Sequence, residues 1–489
     1  MSENVQSAKK GGLDGFFGIS ERKSTMRTEI LAGITTFMAM AYILMVNADM
    51  FKNAGSGVTY GAAYIATAIA AVVGTMLMAI LARMPLAQAS GMGVNAFIVF
   101  TLINFGKTGL TYANTMMFVL LDGLIFVLLT ATGLRKKIFE AIPDTVKIAV
   151  PVGIGLFIAF IGFQNAGVIV GNPSTLVSLV SFNFLKDATY GGVLAPVVAL
   201  VGVLLIAILA KKNVKGSILW GILGSAALYY AMAGIGCIWK DETCLGIFAR
   251  IAESFEFNPF KAFVEWGEFS FFKVFTEGFN YDAYLAMEGN NAGTLIVLIL
   301  TTALSLCMVD MFDTLGTLYG ACSKGGLLDE NGNPLNVNKC MLADSIATCT
   351  GAICGTSTVT TFVESSAGVS AGGRTGMTAF VTAICFLFAM FLSPIAQLIP
   401  SAATASALIY VGVLMMSSVK NVEWNDPAFA LPAFLTIAIM AFGYNISFGI
   451  GIGILSHIIV KVCTGKVKEI SVATWIIGVL FLAMFVLTN

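Results

Sequence analysis

Two stretches of the sequence decide the fold: PLAQASGMGVNAFIVF at residues 85–100 and TSTVTTFVESSAGVSAGGRTG at residues 356–376. Both are apolar, yet glycine, serine and other polar residues interrupt them. When 90–96 is aligned with 365–371, Ser, Gly, Val and Ala coincide at one offset of 275 residues (365 against 90). In each stretch an extended-looking left flank leads into a helix-like right flank. We therefore expect an internal repeat.

The composition around these stretches is that of a polytopic membrane protein. Of 489 residues, 57% are hydrophobic and 11% are charged, and the mean hydropathy is +0.89. A soluble domain carries about 25% charged residues, so a water-facing surface this poor in ions would aggregate. The formal net charge is zero and no basic stripe is present, so no nucleic-acid partner is expected. The first 26 residues lack the apolar run of a cleaved signal peptide.

Fourteen segments are expected to lie in the membrane. A bilayer core requires about 20 apolar residues per helix, and these segments meet or approach that length. The two interrupted stretches are the third and the tenth in the series. The predicted segments are Ile30–Ala48, Ala62–Leu81, Pro85–Phe105, Thr115–Thr132, Thr145–Phe163, Ala195–Ala210, Gly216–Gly236, Gly293–Tyr319, Lys339–Cys354, Ser357–Gly373, Thr375–Leu392, Ser401–Val419, Pro427–Phe442 and Ile446–Cys463.

Positive charges orient these segments in the plasma or inner membrane. With a cytoplasmic N-terminus, every Lys/Arg cluster falls on the cytoplasmic side. Because seven is odd, the second set of seven segments enters the membrane from the opposite face, which makes the repeat inverted. Paired glycine-interrupted segments are the best sequence indication of a transport site; two glycine-softened helices that pack closely are the alternative. The clusters are Arg22–Lys23, Arg83, Arg135–Lys136–Lys137, Lys211–Lys212–Lys215, Lys324, Arg374, Lys420 and Lys461–Lys468.

Two regions fall outside this plan. The loop at about 237–290 is long, acidic and aromatic. It is expected on the external side, where Cys237 and Cys244 either form a disulfide or remain free thiols. Ser471–Leu487 is apolar enough for a fifteenth span, but that span would place the C-terminus outside. The alternatives are a helix in the membrane interface and a helix packed on the bundle.

Three carboxylates are predicted inside the membrane. Asp310 and Asp313 are spaced i, i+3 on one face of a long helix, and Thr314 and Thr317 continue that face. Glu364 stands where the extended half of the tenth segment meets its helical half. An ionisable group in a span costs at least about 2.5 kcal/mol. We therefore expect Asp310 and Glu364 to be functional, whereas Asp313 fits a structural role equally well.

The residues that most enzymes need are scarce. His457 is the one histidine, which excludes most zinc sites and histidine-based triads. No metal site and no cofactor is therefore expected. An intramembrane enzyme would also lack the HExxH motif and a soluble catalytic domain. The chain is expected to be a transporter and not an enzyme.

At these residues the sequence resembles the purine permeases of the nucleobase–cation symporter superfamily, specifically the AzgA-like adenine–guanine–hypoxanthine branch. The resemblance covers nearly the whole chain. It is carried by SERKSTMRTEILAGITTFMAMAYILMVNADMF at 20–51, GMGVNAF at 91–97, VDMFDTLGTL at 309–318 and ESSAGVSAGGRTGMTA at 364–379.

The resemblance implies an all-α membrane fold of fourteen spans in a seven-plus-seven inverted repeat, with short strands in segments 3 and 10. It also implies a core domain and a gate domain, and it suggests a homodimer. The core domain would comprise 30–132 (spans 1–4) and 293–395 (spans 8–11), and the gate domain 145–236 (spans 5–7) and 401–463 (spans 12–14). The remaining parts would be a cytoplasmic N-terminal segment at 1–29, the external loop at 237–292 and a C-terminal apolar segment at 464–489.

Residue by residue, the resemblance assigns the substrate and coupling groups to Asp310 and Glu364. It assigns a substrate-pocket or pocket-supporting position to Asn95. The implied activity is import of a purine nucleobase, guanine, hypoxanthine or adenine, by proton symport. Supporting roles are expected for Asp313, Thr317, Ser365 and Gly93.

Purine chemistry favours the same residues. A carboxylate accepts N1–H and the 2-amino group of guanine as two parallel bonds, and an amide such as Asn95 donates to the acceptor edge of a purine. A helix N-terminus favours the ionised form of Glu364, whereas Asp310, in mid-helix, is easier to protonate. Glu364 is therefore assigned chiefly to the purine and Asp310 chiefly to the proton.

Two alternatives share the implied fold. An anion transporter of the sulfate or bicarbonate type would need cations or bare helix N-termini in its site, where this chain has Asp310 and Glu364. A uracil, xanthine or urate symporter would differ only in the base that it carries. The sequence leaves open which purine is transported and whether sodium replaces the proton.

Overall fold

The computed structural model describes residues 12–53, 55–103, 108–133, 142–186, 188–254, 256–330 and 333–487. The first eleven residues and the predicted cluster Arg135–Lys136–Lys137 lie outside these ranges. The described chain is mainly helical. Ten of its helices are long and apolar enough, by length and composition, to cross a membrane.

The first half of the described chain consists of long apolar helices with polar caps. Four helices begin after a threonine whose hydroxyl accepts an N–H of the first turn, at Thr25, Thr59, Thr111 and Thr189. The helices are α1 (Leu13–Phe17), α2 (Met26–Met40), α3 (Tyr42–Asn53), α4 (Tyr60–Leu77), α5 (Met92–Ala96), α6 (Tyr112–Ala131), α7 (Asp144–Asn165), α8 (Tyr190–Lys211) and α9 (Ser217–Ile238). Wider π-helical turns, Met78–Ala82 and Phe97–Ile103, extend α4 and α5.

The second half repeats this pattern after a group of short helices. Side-chain caps begin α14 at Asn291, α17 at Thr375, α20 at Asp426 and α21 at Asn445. The helices are α10 (Glu242–Ser254), α11 (Lys261–Phe269), α12 (Lys273–Thr276), α13 (Asp282–Leu285), α14 (Ala292–Gly325), α15 (Val337–Cys354), α16 (Ser365–Ser370), α17 (Gly376–Ala389), α18 (Ser393–Ala396), α19 (Ser401–Met416), α20 (Pro427–Phe442), α21 (Ile446–Cys463) and α22 (Val472–Leu487).

The two interrupted segments meet as a pair of short strands. Strand β1 (Gln88–Ser90) pairs antiparallel with β4 (Val359–Thr361), while β2 (Ile169–Asn172) and β3 (Leu176–Leu179) form a separate hairpin. Two further main-chain bonds lengthen the β1–β4 ladder, from the N–H of residue 91 to the carbonyl of residue 358 and from that of 362 to the carbonyl of 87. Non-helical backbone at membrane depth must have its polar groups satisfied. The pairing satisfies those on the facing edges, and the hydroxyls of Thr75 and Thr348 accept the N–H groups of Gln88 and Val359 on the outer edges.

The predicted short strands in segments 3 and 10 are therefore confirmed. The strands begin at 88 and 359, and the helices that follow begin at 92 and 365. The two halves consequently do not keep the constant offset of 275 residues. The loop between strand and helix is longer in the second half, which the short sequence match did not register.

The long helices pack as two groups. In the first, α6 and α4 pack on α15, and α17 packs on α2 and α4. In the second, α19 and α20 pack on α7, α8 packs on α9 and α19, and α21 packs on α20. Helix α14 contacts both groups. The groups also meet at α3 and α19, where the Asp49 carboxylate accepts hydrogen bonds from the hydroxyls of Ser401 (3.1 Å) and Thr404 (2.9 Å).

The acidic, aromatic loop is folded onto the end of α15. Two main-chain carbonyls at this end accept hydrogen bonds from the loop: that of Cys354 from Trp266 Nε1 at 2.8 Å, and that of residue 353 from the N–H of Phe272. The carbonyl of Gly355 accepts a hydrogen bond from the hydroxyl of Tyr112 on α6. These partners satisfy carbonyls that a helix C-terminus leaves open. Cys237 and Cys244 are free thiols in the structure.

The C-terminal apolar segment is a helix packed on the bundle. Helix α22 contacts α21 and α14. Phe481 is fully buried. It packs directly on Gly451, because a Cβ added to that glycine would lie only 2.7 Å from the Phe481 ring. These contacts show that Ser471–Leu487 packs against the bundle.

Candidate functional site

A central cavity of about 540 Å³ lies beside the crossing strands. Volumes of about 300–1,000 Å³ are typical of sites for small organic ligands. Its wall comes from both helix groups and from the two interrupted segments. The lining residues are Tyr42, Gly91, Met92, Gly93, Pro151, Asp313, Gly316, Thr317, Lys324, Thr360, Thr361, Phe362, Val363, Glu364, Ser366, Val411, Leu414, Met415, Ser417 and Ser418.

Glu364 lines this cavity, just before α16. It occupies the N-cap position of that helix, but its side chain does not cap the first turn. Instead, its Oε1 accepts a hydrogen bond from the hydroxyl of Tyr42 at 2.7 Å. The carboxylate thus stands between strand β4 and helix α16, as expected, but its partner is a phenol from α3.

Helix α14 contributes one face to the cavity. Asp313, Gly316 and Thr317 line it, at the i, i+3 and i+4 spacing that places residues on one side of a helix. Asp310 is fully buried and is not among the residues that line the cavity. The structure therefore brings Asp313 and Glu364 to one cavity, and it does not bring Asp310 there.

Asn95 and Ser365 lie behind the cavity wall, among the contacts that hold the crossing together. Asn95 is fully buried, and its Oδ1 accepts a hydrogen bond from the hydroxyl of Ser90 at 2.9 Å. The hydroxyl of Ser365 accepts the N–H of Ala87 at 3.0 Å, which ties α16 to the residue before β1. Neither side chain lines the cavity. The contact of Asn95 with Ser90 ties α5 to β1.

Gly93 lines the cavity and also lets two helices approach. A Cβ at this position would lie 2.7 Å from Cγ2 of Ile154 on α7. Gly74 allows a second close approach, since a Cβ added there would lie 2.9 Å from the side chain of Val359 and 3.0 Å from Oε1 of Gln88. The lack of a side chain at these positions brings α5 onto α7 and α4 onto the strand pair.

Asp344 connects the strand pair to α14. Its Oδ1 accepts hydrogen bonds from Thr314 at 2.8 Å and from Nε2 of Gln88 at 3.1 Å. Gln88 also donates to the hydroxyl of Thr361 at 3.4 Å. Thr314, the residue after Asp313, is thus connected through Asp344 and Gln88 to both strands. These contacts fix the rotation of α14 beside the cavity.

The rim of the cavity carries one lysine. Lys324, near the end of α14, is exposed, and its Nζ lies 3.4 Å from the hydroxyl of Ser366. Ser417 and Ser418, at the end of α19, lie on the same rim. Among the described lining residues, Lys324 is the single cation and Asp313 and Glu364 are the two carboxylates, so the lining carries more negative than positive charge.

Several lining residues were not predicted from the sequence. Thr360 and Thr361 are buried in β4 and line the cavity; the run of β-branched residues in the tenth segment was the signal available for them. The sequence gives no such signal for Tyr42, because a tyrosine in an apolar helix is usually a residue of the hydrophobic core. Gly316 could have been found from its i+3 spacing to Asp313.

Comparisons with known proteins identify the family of the chain. A family model described as a permease family matches residues 27–452. The chain belongs to this nucleobase–cation symporter family. The family and the named relatives are permeases, so the permease is a transporter by family.

Curated relatives of the permease match it over nearly its full length. A putative permease of Methanocaldococcus jannaschii is 38% identical over 97% of this chain and 98% of its own. The guanine/hypoxanthine permease PbuO of Bacillus subtilis is 37% identical, covering 96% of this chain and 100% of its own. The adenine permease AdeP of Escherichia coli is 34% identical, covering 99% and 98%.

Solved structures similar to the permease share its fold. The transmembrane domain of the cyanobacterial bicarbonate transporter BicA superposes with a TM-score of 0.55 at 17% identity, covering 88% of this chain and 97% of that domain. The murine anion transporter Slc26a9 in its inward-facing state gives a TM-score of 0.58 at 12% identity, covering 94% and 74%. At such low identity these matches concern architecture alone.

Proposed function

We propose that this permease imports purine nucleobases, guanine and hypoxanthine or adenine, by proton symport. The observation that carries the proposal is a pair of carboxylates, Glu364 and Asp313, on the wall of one cavity. Purine edges present adjacent N–H donors, and an ionised carboxylate offers acceptors and no donor. Relatives named for guanine/hypoxanthine and for adenine support the same substrate class.

The cavity offers complementary groups to a purine ring. Glu364 provides the charged acceptor, and the hydroxyls of Thr317, Thr360 and Thr361 provide neutral donors and acceptors. Gly91 and Gly93 allow close approach of a flat ring to the backbone of the third segment. Phe362, also on the wall, supplies an apolar surface for the ring.

Proton coupling requires a carboxylate that changes its protonation during the cycle. Asp310 keeps this role in the proposal, because it lies in the interior of α14, one turn before the lining residue Asp313. A carboxylate enclosed in protein is expensive to keep charged, so uptake of a proton lowers the cost of moving it. A change in the protonation of Asp310 would affect the cavity through α14, which carries both Asp310 and the lining residue Asp313.

The inverted repeat and the two-domain division belong to the proposal as well. Antiparallel pairing of β1 with β4 and the two helix groups support fourteen spans in two inverted halves, with a core domain and a gate domain. Superposition of residues 30–236 on 293–463 tests the repeat: halves that superpose without inversion contradict it. We further propose a cell-membrane location in contact with lipid, a cytoplasmic N-terminus and a homodimer, which cysteine accessibility and cross-linking in cells would test.

An anion transporter is the second candidate, since BicA and Slc26a9 share the fold. The observation in its favour is Lys324 on the rim of the cavity. Two carboxylates deeper in the wall oppose it, because like charges repel an anion. A uracil, xanthine or urate permease is a further alternative. Competition of each of these bases with labelled purine for uptake distinguishes it from a purine permease.

Uptake of labelled purines by a permease-deficient strain tests the proposal. Accumulation of guanine, hypoxanthine or adenine is expected, with the transported bases competing among themselves and bicarbonate or sulfate failing to compete. In membrane vesicles, an imposed inward proton gradient should drive uptake with or without sodium, and a protonophore should stop it. A sodium requirement, or indifference to the protonophore, contradicts proton coupling.

A further inference from the structure

The hydrogen bond between Tyr42 and Glu364 has no role in the proposed function as described so far. The phenol of Tyr42 is fully buried and lines the central cavity. Its hydroxyl donates a hydrogen bond to Oε1 of Glu364 at 2.7 Å. A bond to an ionised acceptor is roughly twice as strong as one between neutral groups. The contact joins the first membrane segment to the tenth.

Tyr42 is held more firmly than its partner. Helix α2 ends at Met40 and α3 begins at Tyr42, so the ring lies at a break in the first segment. The ring packs within the largest apolar cluster of the described chain. A glutamate side chain has more rotatable bonds than a tyrosine, and Glu364 is only half-buried. The enclosed phenol therefore sets the position of the more flexible carboxylate.

We propose that Tyr42 is a positioning residue for purine recognition: it holds Oε1 of Glu364 so that Oε2 is presented to an N–H donor of the base. This inference rests on the proposed purine transport. Fixing the carboxylate before the ligand arrives lowers the entropy lost on binding. Loss of the bond therefore weakens substrate binding and leaves the maximal rate of transport nearly unchanged.

Tyr42→Phe removes the hydroxyl and keeps the ring, so the packing volume is preserved. We expect the KM for the transported purine to rise about tenfold, equivalent to about 1.4 kcal/mol, with the maximal rate within about twofold of wild type. Loss of a hydrogen bond to a charged group accounts for an effect of this size. Incorporation of p-aminophenylalanine at position 42, which restores a donor at the same place, should return the KM to within about threefold of wild type.

Tyr64→Phe is the matched control. Tyr64 is also buried, but its hydroxyl donates to the main-chain carbonyl of Ala389 at 2.9 Å, and it is not among the residues that line the cavity. The KM of the Tyr64→Phe variant for the transported purine should stay within about twofold of wild type. All variants are compared at equal amounts of protein in the membrane and by the melting temperature of the purified protein.

The outcomes separate this inference from the function on which it rests. Purine uptake by wild type with an unchanged KM in Tyr42→Phe overturns the positioning role alone. Equal rises in KM for the variants at 42 and 64, or no rescue by the amino analogue, assign the effect to packing and overturn it as well. If wild type transports no purine, the proposed function fails and the inference fails with it.

Discussion

The two interrupted segments follow one plan and differ in what they bring to the cavity. In the first, every residue from 84 to 100 is buried, including Asn95. In the second, 356–362 are buried, but Val363 is exposed and Glu364 and Ser366 are half-buried beside the cavity. The strand-and-helix geometry thus occurs twice, while the second segment alone places a carboxylate in the cavity.

This difference has a local physical cause. The loop between β1 and α5 is one residue long, at Gly91, whereas residues 362–364 separate β4 from α16. The longer loop carries its side chains away from the buried ladder. A short connection therefore yields a scaffold, and a longer one yields a position where a charged group can meet a ligand.

The largest expected effect follows from Glu364→Gln. The amide keeps the shape but replaces one oxygen acceptor by an NH₂ donor that faces the purine N–H. We expect purine uptake to fall about a hundredfold, since a hydrogen bond to a charged group is worth up to about 3 kcal/mol. The measurement is initial uptake of labelled purine at equal expression.

Glu265→Gln is the control for this loss. Glu265 lies in α11 and accepts a hydrogen bond from Thr59 at 2.7 Å, away from the cavity lining. Its uptake should stay near wild type. Full uptake by the Glu364 variant would show that the second interrupted segment is a scaffold like the first.

A smaller effect distinguishes the two aspartates of α14. Asp313 lines the cavity and Asp310 does not. Asp313→Asn should raise the KM about tenfold through loss of an acceptor, whereas Asp310→Asn should lower proton-driven accumulation and leave the KM nearly unchanged. Uptake kinetics in vesicles, with and without a pH gradient, measure both. An unchanged KM in Asp313→Asn would remove that residue from the site.

The smallest effect is expected in the first interrupted segment. Asn95→Ala removes the bond from Ser90 and leaves uptake within about threefold of wild type, with a loss of about 1 kcal/mol in the free energy of unfolding. Purine uptake and the melting temperature of the purified protein test this. Abolished uptake in a stable Asn95→Ala protein would show that both segments carry recognition chemistry.

The sequence was sufficient for much of this architecture because its signals are local. Apolar length marks the helices, and clusters of Gly, Ser and β-branched residues mark the two interruptions, which the structure forms as strands. The offset of the repeat was less accurate, because a loop that is longer in one half shifts the alignment without changing composition.

The site was less predictable because it depends on contacts between distant segments. The i, i+3 spacing of Asp310 and Asp313 placed both on one helical face, but it could not state which of them faces the cavity. That choice depends on the rotation of α14, which Asp344 fixes through Thr314 and Gln88. Tyr42 and Glu364 are separated by 322 residues in sequence, and no local pattern joins them.

The β1–β4 pair also bears on how such a protein changes over generations. Its ladder is made of main-chain bonds, which every residue except proline can form. Exchange of one lining side chain for another therefore leaves these main-chain bonds in place. Relatives named for guanine/hypoxanthine and for adenine, at 37% and 34% identity to this chain, show how far the side chains of one family can diverge.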